Sequence, residues 1–352
     1  MRIAIVNDMK TISEALRRVV SALPGVHVAW MAGDGEQALR RCRTDTPDML
    51  LMDMVMPGMD GVEATRRIMQ ECPCPILVVT ATVDGHSDRV FAALGHGALD
   101  VICTPKLSAD GTPINAETLL RKIRSVSVIS DRTQAFRPST VHAPTPAPGP
   151  SYVIPRLIAI GGSTGGPQAL VHVLRSLPHP VPCPVVIVQH VDEFYAQGMA
   201  TWLSSETGHL VVGASDGEPV RAGLVYIACT SDHLLVDRGG RLRYSSEPTD
   251  LPYRPSVDVL FQSLVASGAP SGVAILLTGM GRDGAVGLLS LRERGWHTIA
   301  QDAATSVVWG MPGEAVRIGA ARAVLDVDTI GAAALGAFNR LSGNLPIAEP
   351  AR

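Results

Sequence analysis

Short, almost wholly apolar runs alternating with stretches of helical spacing limit this chain more than any other feature. Five such runs precede residue 105: "RIAIV", "VHVAWMA", "MLLMD", "ILVVT" and "DVICT". Four more follow residue 155: "LIAIGG", "PVVIVQH", "GVAILLTGMG" and "HTIAQ". Runs of this length without polar alternation suit strands buried on both faces, and helices between strands place neighbours in parallel. After the first run, "SEALRRVVSAL" puts Ala15, Leu16, Val19, Val20 and Leu23 on one helical face. The expected class is therefore α/β, with a five-stranded parallel sandwich first and a doubly wound, mostly parallel α/β domain second. Residues 210 to 247 read instead as antiparallel strands and turns, and no internal repeat links the two halves.

The two halves are separated by "DRTQAFRPSTVHAPTPAPGP", residues 131 to 150, which holds proline and small polar residues with neither a period of 2 nor of 3.6. Such a segment buries too little surface to offset its ordering entropy and reads as an extended linker. The expected division is 1–124 for the first domain, 125–152 for the linker, 153–340 for the second domain and 341–352 for a tail. A chain of 352 residues that is 46% hydrophobic has enough apolar side chains for two cores.

The formal charge of −3 gives no footprint for nucleic acid. Lysine occurs only as Lys10, Lys106 and Lys122, so no ammonium side chain follows residue 122. The six cysteines are scattered and lack zinc-site spacing, which suits reduced thiols. The start, "MRIAIVND", reads as a strand rather than a signal peptide, and no apolar run is long enough to span a bilayer. The expectation is a cytoplasmic protein with no membrane insertion and no nucleic-acid partner.

In open parallel sheets, ligands collect beyond the carboxyl ends of strands. Asp8 follows the first run, Asp53 ends the third and Thr80 ends the fourth. Two carboxylates at one edge repel unless a hard cation such as Mg²⁺ lies between them, and a carboxylate beside Mg²⁺ can accept a phosphoryl group. Asp53 alone could be an ordinary turn acid ahead of Pro57-Gly58. Taken together with "LLMDMVMPGMDGVEATRRI", however, residues 1 to 124 resemble the receiver domain of response regulators, a flavodoxin-like fold. The resemblance implies Asp53 as phosphoacceptor, Asp8, Asp53 and the Val55 carbonyl as Mg²⁺ ligands, and Thr80 as the switch hydroxyl. Three positions depart from that pattern: Asn7 stands where a second acid is usual, Thr104 replaces a lysine, and Val101 occupies the aromatic switch position.

In the second half, "LIAIGGSTGGPQALVHVL" runs from a strand through a glycine-flanked Ser163 into a helix. A phosphate-binding loop of the Walker type needs lysine, which this half lacks, and the glycines do not match a dinucleotide loop. A nucleophilic serine needs a base and an orienting acid. Without lysine the base should be histidine, and His190, at the end of "VVIVQH", is the strand-end choice. Asp283, in the glycine turn of "LTGMGRDG", follows another apolar strand. Each residue also has a structural reading, His190 as a polar cap and Asp283 as a turn former. "RPSVDVLF" can begin a helix at Pro255-Ser256, with Val257, Leu260 and Phe261 facing a core.

The motifs "IGGSTGGP", "VQH", "RPSVDVLF", "LTGMGRDG" and "QDAATSVVWGMPGEA" resemble the catalytic domain of the CheB family, chemotaxis response-regulator protein-glutamate methylesterases. The resemblance implies Ser163 as nucleophile, His190 as general base and acid, and Asp283 as its orienter. It also implies oxyanion or substrate contacts from Thr164, Met280 and Arg254, and no cofactor for the esterase reaction. The substrate would be a methyl-accepting chemoreceptor, some relatives also deamidate receptor glutamines, and a CheA-type histidine kinase would phosphorylate Asp53. The receiver would restrain the catalytic domain until then. "MRIAIVNDM", "GVEATRRIM" and "GHGALDV" resemble more narrowly the receiver of Wsp-type systems, in which the array feeds a diguanylate cyclase. Two other classes stand beside this reading. A receiver-linked transcription factor would need a small basic output domain, against which the long lysine-free half argues. An adaptor that keeps the esterase fold without turnover remains open at the level of sequence.

Overall fold

The computed structural model describes residues 1–80, 87–107, 113–114, 116–127 and 154–343. Most of the expected linker and most of the expected tail lie outside these residues. The chain divides into two compact units, Met1–Ala135 and Phe136–Arg352.

In the first unit, β1 (Arg2–Val6), α1 (Lys10–Ser21), β2 (His27–Ala32), α2 (Gly35–Thr44), β3 (Met49–Met52), α3 (Gly61–Glu71), β4 (Ile76–Thr80), α4 (Ser87–Gly95), β5 (Asp100–Cys103) and α5 (Glu117–Ser127) alternate. A two-residue pair, β6 (Lys106–Leu107) and β7 (Pro113–Ile114), precedes α5. The five main strands are parallel in the order β2-β1-β3-β4-β5. Strand order therefore reverses between β1 and β3. Ala15, Leu16, Val19 and Val20 lie on the buried face of α1, as their spacing requires, and Leu16, Val19 and Val20 pack in one core with Ile3, Ile5, Leu51 and Leu77. Asp34 and Asp60 cap α2 and α3 by accepting from Gln37 N and Glu63 N, which fixes where those helices start.

The second unit contains β8 (Ile158–Gly162), α6 (Gly166–Arg175), β9 (Val185–Gln189), α7 (Glu193–Thr207), β10 (Val211–Gly213), β11 (Val225–Ile227), β12 (His233–Val236) and β13 (Leu242–Ser245). It continues through α8 (Val257–Ser267), β14 (Val273–Leu276), α9 (Ala285–Glu293), β15 (His297–Gln301), α10 (Met311–Arg317), β16 (Ala323–Leu325) and α11 (Val327–Leu341). Seven strands form one parallel sheet in the order β10-β11-β9-β8-β14-β15-β16. Here the reversal falls between β8 and β14.

The antiparallel reading of residues 210 to 247 holds for the β12–β13 hairpin and for an isolated bridge between Pro219 and Arg241. β10 and β11 are parallel members of the main sheet. At three residues each they carry too little pattern to reveal direction, and the sheet edge they complete is what sets it. The core of this unit gathers Val186, Val188, Tyr226, Phe261, Leu276 and Trp296.

Candidate active site

The three residues expected to act together in the second unit follow three neighbouring strands. Ser163 comes one residue after β8, His190 one residue after β9, and Asp283 in the turn between β14 and α9. β8 lies between β9 and β14, so the strand-order reversal opens where these residues meet. The His190 N–H donates to the Gly162 carbonyl and the Ser163 N–H to the Thr278 carbonyl, each at 3.0 Å, which locks the serine loop to both flanking strands. All three side chains are buried.

The nucleophile loop is held from below by Gln189, whose Nε2 donates to the Ser163 carbonyl at 2.7 Å. A Cβ added at Gly162 would lie 2.7 Å from Gln189 Oε1, so this side chain would have to shift if alanine stood there. Gly165 adopts φ 79°, the left-handed conformation that turns the chain from serine into α6. The side chains of Thr278 and Gln301 fasten the opposite wall. Thr278 Oγ1 donates toward the Thr164 carbonyl at 3.0 Å, and Gln301 Oε1 accepts from Thr278 N at 2.8 Å. The segment "WGMPGEA" borders this wall, with Met311 N donating to the Gly279 carbonyl at 2.8 Å.

Asp283 is the most heavily satisfied carboxylate of the site. Oδ2 accepts from His190 Nε2 and from Val257 N, both at 2.7 Å. Oδ1 accepts from the Ser256 hydroxyl at 2.7 Å and from Asp258 N at 3.1 Å. Three of these four donors belong to the first turn of α8, whose N-terminal dipole also favours a negative charge. Burial opposes ionisation of Asp283, but the hydrogen bonds from His190, Ser256 and Val257 outweigh it and hold the carboxyl below its usual range. The neighbouring Asp258 shows the opposite balance. Burial, and then the charge of Asp283, push it up to about 7, although Gly287 N donates to its Oδ1 at 2.7 Å.

Because Nε2 of His190 faces Asp283, the hydrogen-bond pattern leaves Nδ1 as the acceptor nitrogen. Nδ1 is buried and has no partner among the described residues. Nor does Ser163 Oγ make a hydrogen bond among them. The ring is further fixed by Tyr253, stacked on it with centroids 4.4 Å apart and planes 8° from parallel. Thr164 is buried beside Ser163, and Met280 lies in the loop after β14. Neither the Thr164 nor the Met280 backbone N–H donates a hydrogen bond among the described residues. Arg254 is exposed, next to Tyr253.

Sequence reasoning did not single out Gln189, Tyr253, Ser256, Asp258, Thr278 or Gln301 as site residues. Gln189, Ser256, Asp258, Thr278 and Gln301 lie inside motifs quoted above, and Pro255-Ser256 signals the start of α8. What no sequence spacing shows is that this helix start points at Asp283.

In the first unit, Asp8 follows β1 and Asp53 follows β3, across the reversal in strand order. Asn7 Nδ2 donates to Asp53 Oδ2 at 2.8 Å, and Val55 N lies 3.4 Å from Asp53 Oδ1. Burial pushes the Asp53 carboxyl above its usual range, and the charge of Asp8 adds to this. Val55 is exposed, whereas Thr80 is buried at the end of β4. Thr80 accepts through its carbonyl from Thr104 N at 3.0 Å. Thr104 Oγ1 is buried without a hydrogen-bond partner among the described residues, and Val101 is buried in β5.

Comparison with known proteins agrees with both halves. The family model for the response regulator receiver domain matches residues 3–109, and that for CheB methylesterase matches residues 158–334. A protein-glutamate methylesterase/protein-glutamine glutaminase of Cupriavidus metallidurans is 50% identical over 331 residues, covering 94% of this chain and 96% of that protein. One from Pseudomonas syringae pv. syringae is 48% identical over 322 residues, covering 91% of this chain and 94% of that protein. The catalytic domain of CheB methylesterase from Thermotoga maritima aligns with 52% of this chain and 98% of its own at 34% identity, with a TM-score of 0.49. With family models matched in both halves and 50% identity over 94% of its length to one protein-glutamate methylesterase, this chain belongs to the CheB methylesterase family.

Proposed function

We propose that the chain is a phosphorylation-regulated hydrolase that demethylates glutamate methyl esters on methyl-accepting chemoreceptors, with Ser163, His190 and Asp283 as its catalytic residues. The same site would deamidate receptor glutamines, with ammonia leaving in place of methanol. The observation that carries this reading is the His190–Asp283 pair, which leaves one bare ring nitrogen at the strand end beside Ser163.

Ser163 Oγ attacks the side-chain carbonyl carbon while His190 Nδ1 takes its proton. The ring uses its nitrogens in the reverse sense to the chymotrypsin type, in which Nε2 meets the serine. Asp283, saturated by four donors, stays ionised and stabilises the imidazolium. The Thr164 and Met280 N–H groups receive the developing oxyanion. Collapse of the tetrahedral intermediate breaks the ester C–O bond, and Nδ1 returns the proton to departing methanol. Water then attacks the acyl carbon as His190 Nδ1 takes its proton, the acyl–Oγ bond breaks, and Nδ1 returns the proton to Ser163 Oγ as free glutamate leaves. Arg254, exposed beside Tyr253, would contact the substrate.

Residues 1–124 would form the receiver, and 153–340 the catalytic domain. Asp53 would accept the phosphoryl group from a CheA-type histidine kinase. Two carboxylates and a carbonyl are hard oxygen donors, and Asp53 is pushed up first by burial and then by the charge of Asp8, which supports Asp8, Asp53 and the Val55 carbonyl as the groups that would hold Mg²⁺. When bound, the ion would neutralise charge on the transferring phosphoryl group. Asn7 holds one Asp53 oxygen by its amide, and Thr80 offers the hydroxyl that follows the phosphoryl group. Among the described residues no helix is long and apolar enough to cross a membrane, and the enzyme would meet its substrate at the cytoplasmic region of the receptor.

The test is methanol release from a methylated receptor cytoplasmic fragment, with and without a small phosphodonor and Mg²⁺. Release is expected to require Ser163 and to rise with phosphodonor only when Asp53 is present. A wild type that takes up phosphate yet releases no methanol would leave the adaptor reading in its place.

A further inference from the structure

Ser256, one of the residues that donate to Asp283, is itself held by a histidine the reaction does not use. Ser256 caps α8, and its backbone N–H donates to His233 Nδ1 at 3.1 Å. The other ring nitrogen, Nε2, meets the Pro248 carbonyl oxygen at 3.0 Å. His233 stands on β12 and is fully buried. A backbone N–H only donates and a carbonyl only accepts, so the ring carries its one proton on Nε2 and keeps Nδ1 bare. The hydroxyl of the same serine donates to Asp283 Oδ1 at 2.7 Å. One hydrogen-bonded chain therefore runs from the Pro248 carbonyl through His233, Ser256 and Asp283 to His190.

The geometry points to His233 as a positioning residue for the reaction: through Ser256 it fixes the Asp283 carboxylate, and through Asp283 the direction in which His190 faces. The inference rests on the triad reading above. A proton added at Nδ1 would set two donors against each other, and the Ser256 backbone would have to turn away. Burial holds His233 below the usual imidazole range. Of the charged groups around it, Arg254 acts in the same direction, and Asp283 and Asp232 act against it. A histidine buried merely to fill the core would share the two hydrogen bonds, but not their consequence for turnover.

The experiment compares the full-length wild type with His233→Ala, His233→Asn, Ser256→Ala and the His233→Ala/Ser256→Ala double variant in methanol release. It also records the downfield NMR resonance of the proton between His190 and Asp283, which needs no turnover. Asparagine can place its side-chain oxygen where Nδ1 sits. Each alanine variant is expected to lower kcat about ten-fold, the effect of disturbing a hydrogen bond to a charged group, with KM within about two-fold of wild type. The double variant should fall about as far as one single variant, because both act along one path. His233→Asn should recover most of kcat, and the resonance should move in the alanine variants alone.

Alanine variants that lose thermal stability yet keep kcat and the resonance would overturn the inference, as would losses that multiply in the double variant. If His233→Ala does not fold, a folded His233→Asn with kcat as low as Ser256→Ala overturns it, and one near wild type with Ser256→Ala impaired supports it. A wild type without methanol release would instead count against the triad reading, while the resonance still reports on His233.

Discussion

Both halves of the chain place a carboxylate beside the point where strand order reverses in a parallel sheet, yet the two carboxylates are left in opposite conditions. Asp283 accepts four hydrogen bonds and is held below its usual range. Asp53 is partly buried, receives one good hydrogen bond from Asn7, and is pushed above its usual range. The first is finished by the fold, because donors from α8 are in place before any substrate arrives. The second is raised mainly by burial, with the charge of Asp8 adding to it, and on the proposed function it would respond when a cation or a phosphoryl group changes that balance. On the proposed function, the same architecture would supply a prearranged carboxylate for catalysis and a second one for regulation.

The largest effect that can separate the two sites comes from the serine. Ser163→Ala is expected to lower methanol release by at least about a thousand-fold, while phosphate uptake at Asp53 is unchanged. Measuring both on one preparation checks this, and a loss of both would mean that the two sites do not act independently. Asp283→Asn should come next. An amide cannot accept from all four donors, and the wrong His190 tautomer becomes available, so kcat should fall by about a hundred-fold or more. Residual activity within a few-fold of wild type would show that saturation of Asp283 is not what orients His190.

The receiver effects should be smaller. Asp53→Asn should leave basal release near wild type and remove the increase with phosphodonor. Asn7→Asp adds a negative charge beside Asp53 and should tighten Mg²⁺ binding about ten-fold, read as a larger rise of Tm with added Mg²⁺. If Mg²⁺ affinity does not change, the charge at position 7 does not govern cation binding beside Asp53.

The smallest effect concerns Asp258, which lies beside Asp283 but behaves like Asp53. Its carboxyl is raised to about 7 in the folded chain, so the folded state binds a proton that the unfolded state has already released. The stability this contributes is present in full below the unfolded carboxylate value of about 4 and is lost as pH rises toward 7. Asp258→Asn should therefore make the decline of Tm between pH 4 and pH 7 shallower than in the wild type. Equal slopes would place the raised carboxyl elsewhere.

Much of this was legible in the residues. α1 buries the face its spacing gives, α8 starts after Pro255-Ser256, and the three candidate catalytic residues follow the apolar runs that the structure makes into β8, β9 and β14. These features are local, since a strand end, a helix face or a cap is written in a few consecutive side chains. The direction of β10 and β11 was read wrongly because each is three residues long and takes its partner from distant chain.

By itself, then, the sequence determined the strand and helix grammar of two α/β units and which chemical groups end their strands, because periodicity and turn residues act over neighbouring positions. Only the tertiary structure decided that His190 offers Asp283 its Nε2, that Tyr253 stacks on the ring, and that His233 and Ser256 stand behind Asp283. The reason is directional. A hydrogen bond depends on where a lone pair points, and in this site the donors and acceptors come from distant segments, 93 residues apart for His190 and Asp283 and 114 for Thr164 and Thr278, a relation that no local pattern carries.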